Sequence, residues 1–219
     1  METKIITIVG MGQGIGLGIA RRFGKEGFVV VMVARNEAKL KLCKESLEEE
    51  GITSHYFLAD ATNEASLLEA FELIHAQVGY AEILVYNAAA LKMGNILHET
   101  TDTLVDDFKV NVCGALSAVK VVLPYMRERK EGKIFLTGGG FAIQPSHEFG
   151  SLSLGKAGIR SLNEQLYNAL RDEGIHVASV TVCGMVNKKD PRYNPDSIAE
   201  NYWTLYGQQK GDFEKEIIY

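Results

Sequence analysis

Residues 5–23 read IITIVGMGQGIGLGIARRF: a short apolar run, a glycine-rich turn and a run with helical periodicity. Glycine allows left-handed backbone dihedrals and lets the chain approach a diphosphate closely. The helix after such a turn directs free N–H groups and the positive end of its dipole at the bound anion. We therefore predict a strand, a diphosphate-binding turn and a helix. The predicted contacts to the diphosphate are Gly10, Gly12, Gly14, Ile15 and Gly16.

The rest of the chain repeats this order of strand and helix. The predicted strands are almost continuously hydrophobic, as parallel strands covered on both faces should be. Repeated strand–helix units indicate right-handed crossovers. We therefore predict an α/β fold with a three-layer, doubly wound parallel sheet of about seven strands (the Rossmann fold) in a single domain, residues 1–219. The predicted strands are Ile5–Val9, Val29–Val33, His55–Leu58, Ile83–Tyr86, Lys133–Leu136, Val177–Val182 and Glu216–Ile218. The predicted helices are Ile15–Lys25, Ala38–Glu50, Glu64–Val78, Thr103–Arg129, Leu152–Asp172 and Ile198–Gln208.

Composition and charge limit the classes of partner. The chain has 219 residues, of which 46% are hydrophobic and 23% charged, as is typical of a globular protein. A net charge of −5 gives no electrostatic reason to expect a nucleic acid or an anionic membrane as partner. No run approaches the roughly 18 apolar residues of a membrane span, and we expect no signal peptide. Three distant cysteines argue against a disulfide framework or a zinc site. We predict a cytoplasmic protein with a small-molecule substrate and no metal.

The end of the second predicted strand bears on the choice of dinucleotide. A site for NAD would place Asp or Glu there to hold the ribose 2′-hydroxyl. This chain has Ala34 followed by Arg35. A small residue and a guanidinium suit a 2′-phosphate, which arginine binds as a bidentate fork. We predict NADP(H) as the cofactor, with NAD as the alternative if Arg35 is only a solvated residue at the start of a helix.

Small and polar residues near the ends of the later strands complete a recognisable set. They are Asp60-Ala61 after the third strand, Asn87-Ala88 after the fourth, Asn111 in a long helix, Lys156, and Gly184 with Val186 after the sixth strand. With these residues the chain resembles the short-chain dehydrogenase/reductase family over essentially its whole length. The resemblance implies hydride transfer between a nicotinamide cofactor and a carbonyl or alcohol. It also implies that these residues contact the cofactor, and that Asn111 and Lys156 belong to the catalytic set.

The family's catalytic motif is incomplete in this chain. In the family a tyrosine four residues before the lysine protonates the substrate oxygen, and a serine hydrogen-bonds the same oxygen. The lysine holds the nicotinamide ribose and lowers the pKa of the tyrosine. Here Leu152 and Gly139 stand at the tyrosine and serine positions, and no tyrosine occurs between residues 126 and 166. We interpret Lys156 as a ribose ligand without its catalytic acid.

Three other side chains are candidates for a proton donor. His147 lies in a loop before the Lys156 helix and has an ordinary pKa of about 6.5, suited to proton transfer near neutrality. Ser153 lies one turn before Lys156, although a serine at a helix start is more often a cap. Lys156 itself could stabilise an alkoxide if it released the ribose.

Two further expectations concern the substrate and the assembly. The segment after the sixth strand is short, which predicts an open pocket in which Lys188 and Lys189 either meet an anionic substrate or are simply solvated. The family uses the predicted helices 103–129 and 152–172 for a two-fold interface, so the resemblance implies a homodimer or homotetramer.

Two functions remain open from the sequence alone. The first is an NADP(H)-dependent oxidoreductase that acts on a carbonyl or alcohol with a non-standard or water-borne proton donor. The second is a catalytically inactive dinucleotide-binding sensor or regulatory subunit. An intact glycine turn, Asn111 and Lys156 are expected for both. The missing tyrosine and serine favour the second, whereas the otherwise nearly complete framework favours the first, towards which we lean.

Overall fold

The structure, a computed structural model, describes residues 3–219. Seven strands in this part of the chain form one sheet in the order β3-β2-β1-β4-β5-β6-β7, and all neighbouring strands are parallel. The strands are β1 Ile5–Val9, β2 Val29–Ala34, β3 Ser54–Leu58, β4 Ile83–Tyr86, β5 Gly132–Gly139, β6 Ile175–Val182 and β7 Glu216–Ile218. The helices are α1 Ile15–Gly24, α2 Glu37–Glu49, α3 Glu64–Gln77, α4 Thr101–Phe108, α5 Gly114–Arg129, α6 Gly150–Leu170 and α7 Pro195–Gly207. The predicted doubly wound parallel sheet is confirmed.

Helices cover both faces of the sheet, which gives three layers. Successive side chains of a strand point to opposite faces. In β1, Ile6 and Ile8 pack in the core formed with α1, α2 and α7, whereas Ile5 and Val9 pack in the core formed with α3, α5 and α6. All five residues of β1 are buried, which explains why the strand reads as a continuous apolar run.

The predicted helix 103–129 is interrupted. A π-helical turn, Lys109–Cys113, separates α4 from α5 and contains Asn111. Gly155 of α6 approaches this turn so closely that an added Cβ would lie 2.3 Å from the Asn111 amide nitrogen. The irregular turn therefore lies where two helices make close contact, as is common for π-helical turns at functional sites.

The helical segment Thr101–Arg129 bears on the prediction that the protein has no membrane partner. By length and composition alone, Thr101–Arg129 could cross a membrane, with a mean hydropathy of 1.2 in an 18-residue window that is 33% buried. A core helix of a globular protein meets the same criterion. The stretch is therefore weak support for a membrane span, and the absence of a membrane partner stays a prediction.

Strand β5 is longer than the predicted Lys133–Leu136. It continues through Thr137, Gly138 and Gly139 because β6 pairs with it along its full length. A Cβ added to Gly138 would lie 2.4 Å from the Thr181 hydroxyl, so only glycine fits against β6 there. Glycine is rare in strand interiors, and the glycine-rich sequence therefore hid the end of this strand.

Candidate functional site

The candidate site is the crevice at the carboxyl ends of β1 and β4, where the strand order reverses. In open α/β sheets this position is the usual ligand site. Gly10 follows β1 with φ +86°, and an added Cβ would lie 2.1 Å from the Ala88 nitrogen. The Asn87 amide donates to the Gly10 carbonyl at 2.9 Å. Gly10 is therefore fixed by backbone conformation and by contact with the chain after β4.

The other glycines of the turn leave space beside the start of α1. A Cβ added to Gly12 or Gly14 would meet no atom within 4 Å. Gly14 is the N-cap of α1 without a side-chain hydrogen bond, and the first turn contains no acidic residue. By contrast, asparagine side chains cap α2, α3 and α7. An anion can thus approach the amino end of α1, as a dinucleotide diphosphate requires.

The adenosine side of the crevice contains one exposed ion pair. The Arg35 guanidinium lies 3.8 Å from an Asp60 carboxylate oxygen, and the side chains are 67% and 40% exposed, respectively. The other Asp60 oxygen accepts hydrogen bonds from the Thr62 N–H and hydroxyl at 2.9 and 2.8 Å. Burial alone would raise the pKa of Asp60, but the hydrogen bonds from Thr62 lower it. Next to Asp60, the Ala61 carbonyl contacts Gly114, where an added Cβ would lie 2.3 Å from its oxygen.

Lys156 lies buried at the opposite side of the crevice. Its ammonium donates to the Thr137 carbonyl at 2.8 Å, and no acidic partner of this ammonium is present within residues 3–219. Burial lowers the pKa of Lys156 to about 8. A Cβ added to Gly139 would lie 3.2 Å from the Lys156 Cδ and Cε atoms. The lysine stem therefore borders the position at which the family has its serine.

Two neighbours of Lys156 complete this side. Leu152 is 5% exposed, so position 152, where the resemblance implies the family's tyrosine, holds a buried apolar side chain. The Asn111 side-chain oxygen accepts the Ala90 N–H at 2.8 Å. Its amide nitrogen is buried and has no hydrogen-bond partner in the described chain. An unpartnered buried donor in a ligand crevice is typical of a site that holds water or a ligand.

The structure separates the other two proton-donor candidates from Lys156. The Ser153 hydroxyl accepts the Ser146 N–H at 3.1 Å and donates to the Ser146 carbonyl at 3.3 Å. His147 is exposed in the same loop, and its carbonyl accepts the Ile96 N–H at 2.8 Å. No hydrogen bond joins either side chain to Lys156. Ser153 thus closes the loop before α6.

The end of β6 borders the crevice on the far side. Cys183 lies against Gly140, and Val186 is partly exposed. A Cβ added to Gly184 would lie 2.3 Å from the Tyr193 ring. The short segment before α7 is held by its own hydrogen bonds, because Asp190 accepts the Arg192 and Tyr193 N–H groups. This segment therefore covers Gly184 in an ordered conformation.

Sequence reasoning missed Thr137 as a central hydrogen-bonding residue. Its hydroxyl donates to the Asn87 side-chain oxygen at 3.0 Å and lies 2.7 Å from the Tyr202 hydroxyl. Its carbonyl accepts the Lys156 ammonium. Thr137 therefore connects Lys156 to Asn87, which in turn holds Gly10. In the sequence, the position of Thr137 directly before three glycines was the feature that could have identified it.

Comparison with known proteins assigns the family. The model of the family described as short chain dehydrogenase matches residues 4–192. The chain belongs to the short-chain dehydrogenase family. The predicted family is confirmed. No group of three or more His, Cys, Asp or Glu side chains able to hold a metal is present within residues 3–219.

Curated and solved relatives agree on the family and the fold. The chain is 28% identical over 214 residues to 2,3-dihydro-2,3-dihydroxybenzoate dehydrogenase of Bacillus subtilis, covering 96% of this chain and 76% of that protein. A short-chain dehydrogenase from Rhodopseudomonas palustris superposes with a TM-score of 0.88 at 25% identity, covering 100% of this chain and 99% of that chain. A metagenomic short-chain oxidoreductase solved in complex with NADP has a TM-score of 0.89 at 24% identity, over 98% of this chain and 95% of that chain.

Proposed function

We propose that this protein is an NADP(H)-dependent oxidoreductase that transfers hydride between the nicotinamide and a carbonyl or alcohol substrate. The observation that carries the proposal is the buried Lys156 ammonium in the crevice. A buried charge without an acidic partner destabilises a fold. Such a group in a ligand crevice is typical of a functional site. The glycine turn supplies the matching diphosphate site across the crevice.

The residues of the crevice fit the parts of the dinucleotide. Gly10, Gly12, Gly14, Ile15 and Gly16 would hold the diphosphate. Arg35 would bind the 2′-phosphate, which favours NADP(H) over NAD(H). The adenine would contact Asp60 and Ala61, while Asn87, Ala88, Gly184 and Val186 would border the nicotinamide half. The bound cofactor supplies or accepts the hydride.

We further propose that Lys156 positions the nicotinamide ribose and that water supplies the proton. The ammonium would exchange the Thr137 carbonyl for the ribose hydroxyls, which are similar acceptors. Asn111, with its free amide donor, is suited to hold a water molecule near Lys156. His147 and Ser153 are disfavoured as donors because the first is exposed and the second is engaged by Ser146.

A second function, a dinucleotide-binding sensor without catalysis, is favoured by one observation. Leu152 and Gly139 leave no side-chain hydroxyl at either family position. Binding without chemistry would keep the glycine turn and Lys156 for the same reasons. The two functions differ only in whether bound NADPH is consumed.

Two measurements test the proposal. NADPH binding is measured by fluorescence titration, and NADPH oxidation is followed with aldehydes, ketones and quinones. Saturable binding with consumption of NADPH supports an oxidoreductase. Saturable binding without consumption supports the sensor, and absence of binding excludes both functions.

A matched pair of variants tests the missing acid. Leu152→Tyr returns a phenol to α6, whereas Leu152→Phe adds the same ring without the hydroxyl. If the framework still supports the family's chemistry, Leu152→Tyr raises ketone reduction by about 100-fold, the usual contribution of a general acid. Leu152→Phe should not raise it. Equal rates for the two variants would contradict the interpretation that a phenol is what this site lacks.

For the assembly, we propose a homodimer formed through α4, α5 and α6. Val105 and Phe108 on α4 and Leu154 on α6 are large apolar side chains exposed in the monomer. Burying them between two copies would remove apolar surface from water. Light scattering of the purified protein should give twice the chain mass of 24.1 kDa. A cytoplasmic location likewise stays a prediction.

A further inference from the structure

Large apolar side chains are exposed in the three loops that follow β4, β5 and β6. They are Leu91, Met93, Ile143, Met185 and Val186, with exposed fractions between 39% and 87%. We call them the apolar rim. The carboxyl ends of parallel strands meet at one edge of a sheet, so these loops border the crevice. Clustered exposed apolar side chains mark a binding surface.

The nearest lysine on the β4 side is not available to a charged ligand. The Lys92 ammonium lies 2.8 Å from Asp107 and 3.2 Å from Glu99. Both carboxylates are shielded from solvent, and Asp107 also accepts the Ser151 hydroxyl at 2.6 Å. This lysine is neutralised within the protein, so the apolar rim on this side favours an uncharged substrate.

The hydroxyl groups of β5 and α6 are also committed. Thr137 bonds to Asn87 and Tyr202, Ser151 bonds to Asp107, and Ser153 bonds to Ser146. None is free to protonate a substrate oxygen. With the Lys156 ammonium assigned to the nicotinamide ribose, as proposed above, none of these side chains is left to protonate the oxygen of a substrate.

From these observations we propose that the substrate is an uncharged, planar, conjugated hydride acceptor of the quinone class; this inference rests on the proposed function. With NADPH held by the glycine turn and Lys156, the quinone would accept one hydride, that is two electrons and one proton, and become a hydroquinone monoanion. NADPH would supply that hydride and be converted to NADP+. One proton from water then gives the neutral hydroquinone.

The chemical reason is the basicity of the first product. An alkoxide from a simple ketone is about as basic as hydroxide, because the pKa of its alcohol lies close to that of water. A hydroquinone monoanion is a phenolate, and a phenol has a pKa of about 10. The phenolate can form without a general acid, whereas the alkoxide cannot form at a useful rate. A crevice in which Lys156 holds the ribose and the neighbouring hydroxyls are committed is therefore matched to the quinone.

The test compares two bicyclic compounds of similar size. 2,3-Dimethyl-1,4-naphthoquinone is the acceptor, with both ring positions blocked against addition of cysteine, and 1-tetralone is the simple ketone. We expect kcat/KM for NADPH oxidation to be at least about 100-fold higher with the quinone. Equal or faster reduction of tetralone overturns the inference and leaves the oxidoreductase function intact. Bound NADPH that is oxidised by neither compound overturns the inference and supports the sensor.

A binding measurement without turnover tests the rim separately. The binding of the quinone is measured by equilibrium dialysis with protein saturated with NADP+. Leu91→Ser and Met185→Ser should each weaken this binding at least about threefold, because apolar contact is lost. Leu42→Ser, an equally drastic change of a residue that is 52% exposed on α2, is the matched control. Tighter binding of 1,4-naphthoquinone-2-sulfonate than of the neutral quinone would contradict an uncharged substrate. Unchanged binding in both rim variants would show that the rim is not the substrate surface.

Discussion

The two sides of the crevice differ in how they treat the positions on which the family's chemistry depends. On the β1 side, Gly10 keeps a left-handed conformation and a backbone contact that only glycine allows. On the α6 side, Gly139 and Leu152 stand where the resemblance implies the family's serine and tyrosine, and they lie in an unbroken strand and an unbroken helix.

The difference follows from what each side must provide. A diphosphate site made of backbone N–H groups needs residues without side chains. At Gly10, close packing requires glycine as well. Proton transfer needs one particular side chain, whose loss removes no contact essential to the fold. At Gly10 the proposed cofactor site is therefore tied to stability, whereas the position of the acid carries no such requirement.

Gly10→Ala should give the largest effect on stability. The methyl group would lie 2.1 Å from the Ala88 nitrogen, and φ +86° is unfavourable for alanine. Strain and backbone displacement together should cost about 4 kcal/mol of unfolding free energy. Chemical denaturation measures this change. Gly12→Ala, which meets no atom within 4 Å, should change the unfolding free energy by less than about 0.5 kcal/mol. Equal losses for the two variants would contradict the packing role of Gly10.

Gly12→Val should give the largest effect on binding without an effect on the fold. The valine side chain would fill the open space beside the start of α1, into which the diphosphate must enter. We expect the NADPH dissociation constant to rise about 100-fold, equivalent to about 2.8 kcal/mol. Fluorescence titration measures the affinity, and thermal denaturation should show an unchanged midpoint. Unaltered affinity would place the diphosphate elsewhere.

Lys156→Met should stabilise the protein while weakening the cofactor site. Burial lowers the pKa of Lys156 from 10.5 to about 8, so at pH 7 the fold contains a charge that it disfavours. Removing that charge should raise the unfolding free energy by about 2 kcal/mol, which allows for the lost hydrogen bond to Thr137. The gain should be complete below pH 8 and should disappear as the pH rises to 10.5, where the unfolded chain also loses its proton.

Denaturation at pH 7 and pH 10 measures this difference. Lys44→Met, a change of a partly exposed α2 lysine, should alter stability by less than about 0.5 kcal/mol at either pH. A pH-independent gain in Lys156→Met would show that methionine packing, and not the buried charge, is responsible.

The same contrast explains what the sequence could predict. The turn after β1 depends on local glycine spacing and on the helix that follows, so the sequence predicted its position and the fold around it. The interpretation that a tyrosine is missing also came from the sequence, because Lys156 sets the register and position 152 is leucine, and it stays a prediction.

Features that arise from close approach between distant segments could not be predicted. The π-helical turn at Asn111 lies against Gly155, and the extension of β5 exists because Gly138 fits against Thr181. The bond between Ser153 and Ser146 depends on the fold of the loop before α6. Each of these contacts joins residues whose pairing no sequence period reveals.

Arg35→Ala should give a smaller effect, confined to the choice of dinucleotide. If Arg35 binds the 2′-phosphate, NADPH affinity should fall about tenfold, or about 1.4 kcal/mol, because one charge-assisted fork is lost. NADH lacks the 2′-phosphate, so its affinity should be unchanged. Titration of both cofactors against wild type and variant measures the difference. The exposed ion pair with Asp60 is long at 3.8 Å, so stability should change by less than about 0.5 kcal/mol.

Lys39→Ala is the matched control, because Lys39 is an exposed cation in the first turn of α2. It should leave the ratio of NADPH to NADH affinity unchanged if recognition is local to Arg35. An equal loss in both variants would indicate that the general positive potential of this surface, and not one guanidinium, attracts the cofactor. An equal loss of NADPH affinity and NADH affinity in Arg35→Ala would instead indicate that Arg35 contacts a part of the dinucleotide that both cofactors share. Only a loss specific to Arg35 and to NADPH makes the end of β2 the point at which this crevice distinguishes the two dinucleotides.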